Sequence, residues 1–542
     1  MRLTNRGLED AAAWKEAGIA LPGFDRELMI AATAGAPEWV HFGAGNIFRA
    51  FPAALAQNLL KRRLINTGIV VAEGYDGEII DRCFRPFDNL SLLVTLKADG
   101  TMDKEVIASV ACALRMDRIE EYETLKGIFR SKSLQMASFT ITEKAYGLGN
   151  QDGLLPGIAG DYRNGPGLPA SYLGRVAGLC YERYVNGALP LAMVSMDNCS
   201  HNGDKLFAAL ESFALEWTGR GLADKGFLDY VRDPRILSFP WTMIDKITPR
   251  PGEGVRDLLA SLGFEDPGLI VTEKNTYTAP FVNAEETQYL AIEDCFPNGR
   301  FPLEKAGVLF TRRETVDQIE KMKVCTCLNP LHTALAIFGC LLGFTRISDE
   351  MRDGDLVKLI EGIGYREGLP AAVDPGIINP REFIDQVVKV RFPNPFMPDT
   401  PQRIAADTSL KLPIRFGETL KVYASRQDLD PARLRFIPFV FAGWLRYLLG
   451  IDDQGKPFTV SPDPNYRDLA ERLSPCGPGK KLSAAAIHAV LEPILSNPGI
   501  FGLNLYKAGL GETVERHFAG LIAGPGAVRL LLSRIVLSPV YP

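Results

Sequence analysis

The sequence predicts an α/β half built on a largely parallel sheet, followed by a mainly α-helical half. Short apolar runs bounded by turn residues recur between about residues 39 and 195, with helical patterns between several of them. A glycine turn joins the first of these runs to a helix. From about Val316 the apolar spacing becomes helical instead.

Glu38-Trp39-Val40-His41-Phe42 reads as a short strand running into Gly43-Ala44-Gly45, and Phe51, Leu55 and Leu59 follow at helical spacing. Pro52 suits a first helical turn, where its missing N–H would have no intrahelical partner. A second strand, Gly68 to Ala72, runs into Glu73-Gly74, and further runs lie at Leu92 to Leu96, Ala137 to Thr142 and Leu191 to Ser195. The strand pattern fades near residue 300, which places the expected domains at 1–302 and 303–542. In the second part helical spacing runs through Ile319, Met322, Leu335, Ile337 and Leu341, then Leu356 to Ile363, Phe383 to Val390 and Leu434 to Leu449. The Pro/Gly-rich stretches Gly368 to Pro380 and Gly455 to Gly479 read as surface connections.

With 542 residues, 46% of them hydrophobic and 23% charged, the chain is long enough for several domains and has a globular composition. Its net charge of −5, without a basic run, gives no footprint for nucleic acid. The opening residues lack an apolar signal region, and the stretch Phe436 to Trp444, read as the most apolar, is stopped by Arg446. A cytoplasmic protein without a membrane partner is expected. Of the nine cysteines spread over so long a chain, most read as reduced thiols.

Gly43-x-Gly45 between a strand and a helix suits a dinucleotide pyrophosphate, because glycines admit the backbone and the helix start offers free N–H groups. Phe48 stands where a third glycine is usual, and Arg49 offers a cation near the phosphates. Glu73, closing the second strand, can accept from a ribose hydroxyl and repel a 2′-phosphate, which predicts NAD over NADP, with Asp76 as the alternative. An ordinary structural turn and a solvated carboxylate are the plain alternatives.

Six blocks then resemble, in order, the long-chain polyol and hexuronate dehydrogenases that include the mannitol dehydrogenases. They are His41-Phe-Gly-Ala-Gly-Asn-Ile-Phe-Arg49, Thr140-Ile-Thr-Glu-Lys144, Ser195-Met-Asp-Asn-Cys-Ser-His-Asn-Gly203, Ile244-Asp-Lys-Ile-Thr-Pro249, Leu328-Asn-Pro-Leu-His332, and Arg391-Phe-Pro-Asn-Pro395 with Asp407-Thr-Ser-Leu-Lys411. The resemblance implies a Rossmann-type NAD-binding domain, a helical substrate-binding domain, a cleft between them and metal-independent hydride transfer. It makes Lys323 the general base, Asn198 and Asn329 carboxamide donors to the developing alkoxide, and Glu320 a proton relay. It makes His332, Arg403 and Lys411 the substrate-binding groups. The substrate expected is a small sugar acid or polyol. D-fructuronate/D-mannonate interconversion leads, ahead of mannitol or another polyol and of tagaturonate.

One spacing departs from the family. Asn329 and His332 follow Lys323 by six and nine residues, where five and eight are usual. On a regular helix nine steps put two side chains on opposite faces, so a π-bulge or break between Val324 and Leu328 is expected. The extra residue is also the best support for a rival reading, a dinucleotide-binding sensor without turnover. Cys325-Thr-Cys327 near His332 suggests a zinc dehydrogenase, but no neighbouring Cys or His run completes a tetrahedral site, and no metal is expected.

Overall fold

The structure, a computed structural model, describes residues 1–150 and 153–537. The chain forms two compact units, residues 1–97 with 101–317, and residues 98–100 with 318–542.

The first unit is organised around a six-stranded sheet in the order Leu237–Ser238, Leu191–Ser195, Met136–Phe139, Trp39–Phe42, Ile69–Glu73, Val110–Arg115, with all neighbours parallel. This is the doubly wound dinucleotide-binding order, whose strand order reverses between Trp39–Phe42 and Met136–Phe139. The strands read as unbroken apolar runs because helices cover both sheet faces. Val40, Phe42, Val70 and Ala72 enter one core, and Trp39, Ile69 and Val71 enter the other.

The strand expected at Leu92 to Leu96 belongs elsewhere. Ser91–Leu96 pairs antiparallel with Met102–Ile107 and parallel with Phe281–Glu285 in a separate four-stranded sheet. Val110–Arg115, not anticipated from the sequence, takes the edge of the main sheet instead.

In the second unit the helix Asn329–Leu342 meets Phe436–Tyr447, all of whose residues are buried. Phe338 stacks on Phe439 at 4.8 Å, and a Cβ on Gly443 would lie 2.6 Å from the Phe338 ring, so glycine sets this close approach. The helical run Arg313–Leu342 is, by length and composition alone, long and apolar enough to cross a membrane, a candidate that the sequence reading, which considered only Phe436 to Trp444, did not single out. Its apolar window is 78% buried within the protein, as befits a core helix. The stretch Gly455 to Gly479 is more than a connection, since it holds the helix Tyr466–Leu473. All nine cysteines are free thiols.

Candidate active site

In the first unit the glycine turn is held from two sides. Trp39 Nε1 donates to Ser138 Oγ at 2.6 Å, Ser138 Oγ meets His41 Nδ1 at 2.6 Å, and His41 Nε2 meets Thr140 Oγ1 at 2.9 Å. Thr140 Oγ1 in turn donates to Gly43 O at 3.4 Å, which assigns the ring proton to Nε2. Burial pushes the His41 pKa down to about 3, so this chain operates with a neutral imidazole.

Gly43 has φ +106°, and a Cβ there would lie 2.6 Å from Thr140 O. Gly45 has φ −72°, and a Cβ there would meet nothing within 4 Å. One glycine is therefore required by the turn, whereas the other faces open space that a pyrophosphate can enter.

Glu73 closes its strand at 6% exposure and braces the same turn from behind. Its Oε2 accepts the Ala44 N–H at 2.8 Å, and Oε1 accepts those of Tyr75 and Asp76 at 2.7 and 3.0 Å. Burial raises its pKa, against the lowering effect of these bonds. The carboxylate is thus at the expected place, but backbone takes up most of its accepting capacity. Asp76 accepts from Thr272 and Thr276, each at 2.6 Å.

Arg49 requires a correction. Its guanidinium is fully buried and donates to Ala279 O at 2.7 Å, Asn46 Oδ1 at 2.7 Å and Thr278 Oγ1 at 2.8 Å. It points into the fold behind the turn, because a buried guanidinium is satisfied by converging carbonyls, so it offers no exposed cation.

Asn198 lies exposed just past Leu191–Ser195 and lines a cavity of about 330 Å³ with Thr140, Asp197, Asp245 and Lys246. Its neighbours fix the loop. Asp197 accepts from Tyr146 OH and from Cys199 N–H, and Asn202 Nδ2 reaches Ser195 O, Asp197 O and Thr242 Oγ1. Burial raises the Asp197 pKa to about 6.

In the second unit the expected irregularity is present. Met322–Cys327 is a π-helical turn in which Leu328 N–H donates to Lys323 O at 3.1 Å, and a new helix starts at Asn329 with Pro330 in its first turn. The turn absorbs one residue, so nine chain steps from Lys323 to His332 act as about eight α-helical steps. Lys323 is 5% exposed, and Glu320 lies half-exposed before it. Asn329 is half-exposed, and its carbonyl accepts from Thr333 Oγ1 at 2.8 Å.

His332 packs against Phe392 at 5.0 Å, and its buried Nε2 has no hydrogen-bond partner, lying 3.6 Å from Asp399 Oδ2. Burial brings its pKa down to about 4; Asp399 opposes the shift, and Arg415, Arg403 and Arg391 add to it.

Arg403 and Lys411 are less available than their types suggest. Arg403 is ion-paired to Asp399 one turn earlier, and Lys411 Nζ donates to the carbonyls of Ala406 and Ile404. Burial and the nearby Arg415 lower the Lys411 pKa. Asp399 and Arg415 were not singled out from the sequence, and Arg391 was quoted only as the first residue of a block. The signal for two of them was helical spacing, Asp399 four residues before Arg403 and Arg415 four after Lys411. Lys323, Arg391 and Arg415 all sit in π-helical turns, which recur at functional sites.

Among the described residues no group of three His, Cys, Asp or Glu side chains is arranged to hold a metal ion. Burial raises the Cys327 thiol pKa to about 12.

Residues 37–305 match the mannitol dehydrogenase Rossmann domain, and residues 315–497 the mannitol dehydrogenase C-terminal domain. The chain is 51% identical over 540 residues to a D-mannonate oxidoreductase of Thermotoga maritima, covering 99% of both chains. It is 28% identical to a mannitol 2-dehydrogenase of Aspergillus fumigatus, covering 90% of this chain and 92% of that one. In fold it resembles a substrate-free D-sorbitol dehydrogenase, with TM-score 0.77, 24% identity and coverage of 96% and 98%. It also resembles Pseudomonas fluorescens mannitol 2-dehydrogenase, solved with NAD and D-mannitol, with TM-score 0.67, 23% identity and coverage of 99% and 100%. The strand order, the glycine turn and the helical unit bearing Lys323 thus have one explanation: this chain is an oxidoreductase of the mannitol dehydrogenase family.

Proposed function

We propose that the protein interconverts D-mannonate and D-fructuronate with NAD, by hydride transfer assisted by a lysine acid/base. The observation that carries this reading is the positive charge around His332, where Arg403 pairs with Asp399 while Arg415, whose charge also acts on the imidazole, has no acidic partner among the described residues. A surplus of cations favours a substrate that brings its own carboxylate. The D-mannonate oxidoreductase relative supports the same choice.

NAD is supported by the sheet order, by the open side of Gly45 and by the carboxylate of Glu73 at the turn. When bound, the nicotinamide accepts the hydride from the carbon that bears the substrate hydroxyl. Lys323 takes the hydroxyl proton, and Glu320 passes it on to solvent. Within the second unit, Asn329 donates a carboxamide N–H bond to the developing alkoxide. His332, neutral at physiological pH, uses its Nε2, which has no hydrogen-bond partner among the described residues, to orient a substrate hydroxyl, with Arg403 and Lys411 as the further substrate-binding groups. A cytoplasmic setting belongs to this proposal and is supported by the nine free thiols.

The test is reduction with NADH. D-fructuronate is expected to show a much higher kcat/KM than D-fructose. A preference for D-fructose refutes the sugar-acid reading in favour of a mannitol dehydrogenase, and comparable activity on tagaturonate shows a pocket that does not select stereochemistry.

A further inference from the structure

The cations of the second unit differ in what already holds them. Arg403 has Asp399, and Lys411 has the carbonyls of Ala406 and Ile404. Arg415 has only a neutral hydroxyl, since its Nη1 donates to Thr333 Oγ1 at 2.6 Å and no acidic side chain pairs with it among the described residues. Burial alone lowers its pKa to about 10, with no opposing contribution from an acid. It remains charged at neutral pH. A half-buried guanidinium with no acidic partner keeps its charge available, and an anion that reaches it can pair with it.

The surroundings of Arg415 say where that anion would lie. Thr333 follows His332 directly, and its hydroxyl donates onward to Asn329 O at 2.8 Å. One hydrogen-bonded chain therefore ties the Arg415 guanidinium to the helix that presents Asn329 and His332. The positive charge of Arg415 is also felt at both His332 and Lys411. Its Nε and Nη2 make no hydrogen bond within the described protein and, with the residue half-exposed, they stay open. On a guanidinium those two groups form the fork that fits a carboxylate with two parallel bonds.

We propose that Arg415 is the specificity-determining residue that receives the substrate's carboxylate, while Arg403 and Lys411 act mainly on hydroxyls. The assignment rests on the sugar-acid reading above. It moves the source of acid selectivity to a residue that needs no existing ion pair to break before it binds.

The experiment compares Arg415→Ala and Arg415→Lys with wild type in kcat/KM for D-fructuronate and D-fructose, using NADH. The ratio of the two is expected to fall by about 30-fold or more in Arg415→Ala, mainly through KM for the acid. Lysine should restore it only in part, because it lacks the fork. Added guanidinium ion should raise the activity of Arg415→Ala on the acid more than on the neutral sugar. A residue that merely braces Thr333 would lower both activities together, and an unchanged ratio in Arg415→Ala overturns the assignment while leaving a wild-type acid preference intact. If wild type itself prefers D-fructose, the sugar-acid reading fails, and the assignment fails with it.

Discussion

Gly43 and Gly45 lie two residues apart but should fail in opposite ways when each is replaced by alanine. At Gly43 the φ of +106° is one that L residues rarely adopt, and the new methyl would lie 2.6 Å from the Thr140 carbonyl oxygen. The backbone strain costs about 1–3 kcal/mol. Displacing Thr140, whose N–H is bonded to Phe42 O at 3.0 Å, adds to it, for roughly 2–4 kcal/mol in all. Gly45 has φ −72° and ψ −175°, open to alanine, and nothing lies within 4 Å of a Cβ there. Gly45→Ala should therefore match wild type in thermal stability, or exceed it slightly through a less flexible unfolded chain. The methyl would occupy the space through which a pyrophosphate approaches, so NADH should bind at least about tenfold more weakly, or about 1.4 kcal/mol. Thermal unfolding and NADH fluorescence titration on both variants give the four numbers. Wild-type NADH affinity in Gly45→Ala would show that the pyrophosphate does not cross this turn, and wild-type stability in Gly43→Ala would refute the steric argument.

Three further outcomes follow from the same geometry. Lys323→Ala should lower kcat by about 10² to 10⁴ with NADH binding near wild type, as read by single-turnover kinetics; retained turnover would move the base elsewhere. NAD should be preferred over NADP in kcat/KM, because the buried carboxylate of Glu73 stands beside the glycine turn, and a preference for NADP would count against that placement. Glu367, whose carboxylate accepts the N–H groups of Arg435, Phe436 and Ile437 at the start of a buried helix, has its pKa raised by burial from 4.5 to about 7. The folded state thus holds this proton more tightly. The stabilisation is complete below the unfolded carboxyl's value near 4.3 and is lost as pH rises through about 7, on the order of 3–4 kcal/mol. Glu367→Gln should lower stability overall, since one amide oxygen replaces two carboxylate oxygens, and should flatten that slope; an unchanged slope in denaturant titrations would assign it to another group.

What the sequence determined by itself was local. Strand Leu191–Ser195 lies where its apolar run ends, and Trp39–Phe42 feeds the glycine turn as the residue types require. The π-turn under Lys323 was legible as well, because one surplus residue on a helix has few places to go. Sheet membership was not legible. Ser91–Leu96 reads like its neighbours, yet its parallel partner is Phe281–Glu285, nearly two hundred residues away, and nothing in a short apolar run specifies which edge it joins. The cations show the same division. Sequence identified Arg49, Arg403 and Lys411 as charges near the chemistry, but tertiary structure decided what each charge meets. Arg49 is enclosed by the carbonyl of Ala279 and the hydroxyl of Thr278, while Arg403 pairs with Asp399. Arg415, which no block of resemblance marked, has among the described residues a single neutral partner, Thr333. A side chain's charge belongs to its residue type, but whether that charge is available to a ligand depends on partners that only folding brings within hydrogen-bond distance.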